Sequence, residues 1–167
     1  MKKTIFLTFA AVAVILTSNG CKKDDDTKLN YVATGTNNNT VQTSTFTITA
    51  AQWVADSAGL QWGYLYTIPS GSNISGAVLL YLQDGTNWAA LPHVDYGWTY
   101  EFEYDPTAKI MNVQIADAKA STLIPNPGDK TFRMVTIPPG ARKAHPNVNW
   151  KNYEEVKKAF NLSENNK

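Results

Sequence analysis

From Thr45 onward, apolar and polar positions alternate with a period of two, the repeat of a strand that buries one face. Thr45 to Trp53 alternates in this way, with Phe46, Ile48 and Ala50 on one face and Trp53 on the other. Trp62, Tyr64, Tyr66 and Ile68 share a face in the next run, which Pro69 ends. Ser70-Gly71-Ser72-Asn73 then has the composition of a loop. Val78 to Leu82 is continuously apolar, as expected of a strand covered on both sides. Asp84-Gly85 follows and suits the two-residue loop of a type I′ hairpin. That loop sets Tyr81 opposite Trp88, Leu79 opposite Ala90 and Val78 opposite Leu91, and Pro92 ends the return strand.

A second hairpin reads more clearly. Trp98, Tyr100, Phe102 and Tyr104 alternate with Thr99, Glu101 and Glu103. Asp105-Pro106-Thr107-Ala108 supplies a four-residue loop with proline at its favoured type I position. The register that follows sets Phe102 opposite Met111, Tyr100 opposite Val113, Trp98 opposite Ile115 and Glu101 opposite Asn112. Thr131 to Ile137 is a further strand, closed by Pro138-Pro139-Gly140. From Asn149 the period changes. Asn152 with Glu155 three residues on marks a helix start, and Tyr153, Val156 and Phe160 recur at helical spacing. The pattern predicts a mainly β fold: an antiparallel β-sandwich of six to eight strands over 45–162, with one short C-terminal α-helix at about 152–161 and a tail at 163–167.

The N-terminus follows different rules. Lys2-Lys3 precede an apolar run from Ile5 to Leu16, interrupted only by Thr8, which is signal-peptide length and short for a bilayer span. Small and polar residues Thr17-Ser18-Asn19-Gly20 then lead into Cys21, the sole cysteine. This arrangement resembles a bacterial lipobox, although Asn19 is a less usual residue within it. The resemblance implies cleavage between Gly20 and Cys21, a lipid on Cys21, and passage through the lipoprotein processing and export machinery. Lys22-Lys23-Asp24-Asp25-Asp26 resembles the acidic export signal of Bacteroidetes-type surface lipoproteins, which implies the outer face of the outer membrane. As a plain solvated charge run, it would leave the domain facing the periplasm. Residues 21–44 are rich in Thr, Asn and Asp and read as a tether, with a short strand suggested at Tyr31–Val32. Gly76 to Leu82, Trp88 to Pro92, Val135 to Pro139 and Tyr153 to Leu162 are similar to stretches of small uncharacterised Bacteroidetes lipoproteins. That resemblance carries no activity.

Composition narrows the function classes. The 167 residues hold 15 Lys and Arg against 14 Asp and Glu, and removing Lys2 and Lys3 leaves a mature chain with 13 against 14. Such a balance supplies no bulk electrostatic drive toward nucleic acid. Five Trp and eight Tyr argue for a folded core. A single cysteine excludes an internal disulfide framework and a cysteine-based zinc site.

Chemistry is sparse. His93 and Asp95 fall in an expected loop after Pro92, where two residues of extended chain can place both on one side. His145 is the only other histidine, so a metal or hydrolytic site would draw on His93, Asp95 and His145. Glu101 and Glu103 lie on one strand face as neighbours, where a solvated surface is the simpler account than a glycosidase pair. No Gly-x-Ser-x-Gly, phosphate-binding glycine loop or calcium loop occurs. No cofactor is implied. Trp53 and Trp150 are the candidates for stacking against a sugar or peptide ligand, and Asp56-Ser57-Ala58 matches the short O-glycosylation pattern of exported Bacteroidetes proteins at Ser57. The sequence reading is a lipid-anchored envelope protein, a non-catalytic binding or structural module with a glycan or protein ligand. Its alternatives are a carbohydrate-binding accessory lipoprotein and an envelope metalloenzyme or hydrolase.

Overall fold

In the computed structural model, which describes residues 40–69, 74, 76–117, 119 and 123–162, the alternating runs become two antiparallel sheets. Strands β1 (Gln42–Ile48), β9 (Lys130–Ile137), β4 (Ala77–Asp84) and β5 (Asn87–Ala90) form the first sheet in that spatial order. The second runs β2 (Val54–Ala55), β3 (Gln61–Thr67), β8 (Ile110–Asp117), β7 (Trp98–Asp105) and β6 (His93–Asp95). The fold is therefore the expected β-sandwich, with nine strands among the described residues. Two of the nine span only two and three residues, too short for an alternation pattern to register. The signal segment, Cys21, the charge run Lys22–Asp26, Tyr31–Val32, the Ser70–Asn73 loop and the 163–167 tail lie outside the described residues.

Both hairpins pair two residues away from the expected register. In the first, Gln83 faces Trp88 and Tyr81 faces Ala90, so the loop is Gly85-Thr86. Gly85 takes positive φ and Thr86 does not, which is the glycine-first pattern of a type II′ turn. In the second, Tyr100 faces Ile115, Phe102 faces Val113 and Tyr104 faces Met111, while Trp98 faces Asp117. Asp105 is the last strand residue there, because its carboxylate accepts from the Thr107 and Ala108 amides (2.8 and 3.0 Å) and fixes the turn. Lys109 then closes the loop in the left-handed region. A shift of two preserves every side chain's face, so the inward set survives the correction.

Three further boundaries differ. β1 begins at Gln42, inside the stretch read as tether, because buried Thr43 and Ser44 disguise a strand as polar linker. His93–Asp95 is a strand and not a loop. A second short helix, α1 (Pro139–Ala144), follows β9, with Pro139 in the first turn, where its missing N–H costs nothing. The C-terminal helix is α2 (Tyr153–Phe160). Asn152 caps it, accepting from the Glu154 and Glu155 amides, and Asn161 ends it in the left-handed region.

Between the sheets, Phe46, Ile48, Tyr66, Leu80, Leu82, Tyr100, Met111, Val113, Ile115, Phe132 and Met134 form the main core. Phe46 stacks on Tyr66 with centroids 4.0 Å apart. The outer side of the first sheet carries a second cluster, in which Tyr81, Val135 and Ile137 pack with Val41, Tyr153, Val156 and Leu162. An eight-residue helix is not stable alone, so α2 persists because Tyr153 and Val156 are buried there. This cover explains the continuous apolar run of β4: the first sheet is buried on both faces. Gly76 admits no side chain, since a Cβ there would run into the Ile137 carbonyl.

One buried cation joins these parts. Arg133, on the central strand β9, lies 4.0 Å over the Trp88 ring and 4.8 Å over the Tyr153 ring. Its Nη1 donates to the Tyr153 hydroxyl (2.7 Å) and its Nε to Thr45 Oγ1 (3.1 Å). Cation–π contact and charge-assisted hydrogen bonds each contribute about 1–2 kcal/mol when desolvated. Arg133→Ala should therefore lower unfolding free energy by about 3 kcal/mol in urea denaturation followed by Trp fluorescence. Arg133→Lys should recover less than half of that loss, because an ammonium lacks the planar fork. Full rescue by lysine would mean that charge alone matters.

Tyr81 makes the same layer sensitive to alkali. Burial, reinforced by the neighbouring Tyr153 phenol, pushes the Tyr81 phenol well above its ordinary value of 10, and its hydroxyl donates to the Trp150 carbonyl (2.7 Å). Below pH 10 this contribution is intact in full. As pH rises further, the unfolded chain ionises first, so stability falls until the folded phenol also loses its proton. Tyr81→Phe, less stable at neutral pH, should show a shallower decline above pH 10 in urea midpoints.

Candidate functional site

Among the described residues, several ionisable side chains gather around Tyr100 on β7. His93 pairs with Tyr100 across β6 and β7, with ring centroids 6.4 Å apart, and Asp95 sits on the same face of β6. Lys130, at the start of β9, places its Nζ 5.8 Å from the Tyr100 ring centroid. Burial first, then the carboxylates of Asp95 and Asp84, push the Tyr100 phenol above its ordinary value. A catalytic phenol acting as a base needs the opposite shift. The shift therefore disfavours Tyr100 as a base.

The remaining histidine lies elsewhere. His145 ends α1 and packs edge-on against Phe160 at 4.6 Å, beyond the outer face of the first sheet. The sequence-predicted set is thus divided: His93 and Asp95 share a strand face, and His145 belongs to the layer on the far side. Among the described residues, no group of three His, Cys, Asp or Glu side chains is placed to hold a metal ion.

Neither tryptophan forms an open platform. Trp53 is 5 % exposed and joins the cluster of Phe46 and Ile48 instead of lying on the opposite face. The 3₁₀ turn Ala50–Gln52 intervenes after β1 and resets the alternation, so Trp53 turns inward. Its Nε1 donates to the Gly128 carbonyl (2.9 Å), and Trp62 Nε1 donates to the Ile124 carbonyl (3.0 Å). These two indoles fasten the connection between β8 and β9. Trp150 is half-buried and packs on Phe160 at 5.6 Å. Ser57 is exposed in the turn between β2 and β3, whose backbone is fixed by Asp56 accepting from the Leu60 and Gln61 amides (2.8 and 3.3 Å).

Two surface features remain. A cleft of about 200 Å³ opens where β1 faces β3, lined by Phe46, Thr47, Gln52, Tyr64, Leu65, Tyr66 and Thr67. Pockets for small organic ligands span about 300–1,000 Å³, so this one admits a single side chain or a few waters. The outer face of the second sheet carries exposed residues, Leu65, Glu101 and Glu103 among them. Pairing registers align Gly63, Gln114 and Glu101 in one row and Leu65, Asn112 and Glu103 in the next. Glu101 and Glu103 are exposed there, as a solvated strand face requires.

Sequence patterning passed over Tyr96. It sits with Gly97 at the β6–β7 turn, 97 % exposed and at φ 48°, and among the described residues no other aromatic side chain is comparably open. The signal was available: a glycine directly before the Trp98 alternation marks a tight hairpin in which both loop positions take positive φ. A tyrosine in that conformation costs about 1 kcal/mol. Tyr96→Asn should accordingly raise unfolding free energy by about 0.5–1 kcal/mol, measured by urea titration. An unchanged or lowered value would mean that the exposed ring has folded-state contacts worth as much as the backbone strain.

No family model matches the chain, and comparison with curated proteins and with solved structures likewise finds no significant match.

Proposed function

We propose that this chain is a lipid-anchored cell-envelope protein whose β-sandwich serves as a non-catalytic binding or structural module. The observation that carries the reading is the position of the only cysteine. Cys21 stands directly after an apolar segment of signal-peptide length and the small residues before Gly20. The acyl chains of a bacterial lipoprotein supply about 0.8 kcal/mol per buried methylene, enough for stable attachment with two or more chains. Among the described residues, no helix is long and apolar enough to cross a membrane. The non-catalytic part of the reading draws support from the surroundings of Tyr100, where burial and the Asp95 and Asp84 carboxylates raise the phenol instead of activating it. Lys22 to Asp26 favours the cell surface over the periplasm, and the exposed Ser57 turn suits a glycan acceptor in an exported protein.

Mass spectrometry of the native protein tests anchoring and glycosylation together. The N-terminal peptide should begin at Cys21 and carry an acyl increment, and the Ser57 peptide should carry a sugar mass that Ser57→Ala removes. Cys21→Ser should leave the signal segment uncut and shift the protein out of palmitate-labelled fractions. A Cys21 still joined to Gly20 in the native protein would end the anchoring proposal. Protease digestion of intact cells addresses topology, where protection until the outer membrane is opened would place the domain in the periplasm.

A further inference from the structure

The near-neutral chain hides a strong separation of charge across the sandwich. The second sheet and its turns, residues 54–67 and 93–117, hold Asp56, Asp95, Glu101, Glu103, Asp105 and Asp117 against Lys109 alone. The C-terminal layer, residues 139–162, packs on the opposite side of the first sheet and reverses the sign. It holds Arg142, Lys143, Lys151, Lys157 and Lys158 against Glu154 and Glu155. Both of its acids are engaged locally. Glu154 pairs with Lys157 at 3.6 Å, while Glu155 accepts from the Asn149 amide (3.1 Å) and from Asn152 Nδ2 (3.3 Å). Arg142, Lys143, Lys151 and Lys158 are all exposed.

A second, independent observation concerns where the N-terminal segment joins the domain. Val41 is 3 % exposed and belongs to the apolar cluster of Tyr153, Val156 and Leu162. The chain leading back to Cys21 therefore enters beside the basic layer and not at the acidic sheet. The 19 residue steps from Cys21 to Thr40 span at most about 65 Å when fully extended. That contour length bounds how far the domain can stand from a lipid on Cys21.

We infer that the C-terminal layer is a docking surface for an anionic lipid bilayer, which turns the acidic outer face of the second sheet away from the membrane. The partner is a membrane because the basic layer and the entry of the lipid-bearing segment lie on the same side. The inference rests on the anchoring proposal for its biological setting, but its physical test does not. A bilayer carrying phosphate headgroups attracts the basic layer and repels the second sheet, so both ends of the charge separation favour one orientation. Attraction of this kind falls off within a Debye length and weakens with salt.

The test uses the mature chain from residue 21 with Cys21→Ser, so that acylation plays no part, in sedimentation with phosphatidylcholine vesicles with and without 30 mol% phosphatidylglycerol. Binding is expected only to the anionic vesicles, at low salt, and lost at about 0.5 M salt, where the Debye length is about 4 Å. Each basic residue held near such a surface strengthens binding about fivefold, so Arg142→Ala with Lys143→Ala should weaken it about 25-fold. Glu101→Gln with Glu103→Gln, on the opposite face, should change it less than twofold. All four side chains are exposed, and unchanged urea midpoints would exclude unfolding as the cause. Equal binding to neutral vesicles, or equal sensitivity to both double variants, would overturn the inference. Release by millimolar phosphate at matched ionic strength would reduce the surface to an anion site, and equal affinity for duplex DNA would make it a general polyanion surface; either result overturns it. Absence of acyl mass on native Cys21 would instead count against the anchoring proposal and leave the vesicle result standing.

Discussion

A guanidinium buried on the outer face of a sheet is the constraint on which the remaining architecture turns. Arg133 occupies the middle of β9, and a charge in that position costs several kcal/mol unless its donors are met and its faces covered. Thr45 on β1, Trp88 on β5 and Tyr153 on α2 do this from three separate parts of the chain. Meeting that demand brings α2 onto the first sheet in one position and orientation. The apolar residues around it, Tyr81, Val135, Ile137 and Val156, gain burial from the same docking. They supply most of the free energy, being non-directional, and the arginine specifies the geometry.

Covering the first sheet on both sides has a consequence for the second. The C-terminal segment is committed to one face, so the outer face of β3, β8 and β7 is left as the broad open surface. Its rows of Gln, Asn and Glu are what a solvated sheet face requires, and nothing in them demands a ligand. Among the described residues, ionisable groups gather around Tyr100, where burial and two carboxylates raise its phenol. Surface charge and the exposed ring of Tyr96 are what the described residues present to another molecule.

The sandwich was legible because inward faces have a period of two, and that period fixes which side chains meet the core. It says nothing about slips of two residues, which leave every face unchanged. The registers of both hairpins therefore depended on turn chemistry: the positive φ of Gly85, and the Asp105 carboxylate that accepts two amides of its own loop. Counting apolar pairs could not decide the second hairpin, since one register leaves Tyr104 without an apolar partner and the other sets Trp98 against Asp117. Trp53 was misplaced for a related reason. Alternation carried it to the outer face, but a single 3₁₀ turn changes the phase, and three residues of Ala-Ala-Gln give little warning of it. Asn152 with Glu155 was readable at once because capping is local. The division of His93 and Asp95 from His145 was not readable, because it depends on which face of the first sheet the C-terminal segment covers.

The same dependence governs how charge should be read. A total of 15 basic and 14 acidic residues describes no surface of this protein. Acidic side chains fall at outward positions of β7 and at the turns of the second sheet, while basic ones collect in the two C-terminal helices and the segment between them. Sequence order keeps these groups apart, and the Arg133 cage then sets them on opposite sides of the sandwich. Had α2 packed on the second sheet, its lysines would lie over Glu101 and Glu103 and the two groups would neutralise each other. The charge separation is thus a product of the docking geometry as much as of composition. It follows that bulk neutrality excludes a long-range attraction for polyanions but does not exclude one acting within a Debye length of a single face. In the proposed lipid-anchored setting, that shorter range is the one that matters.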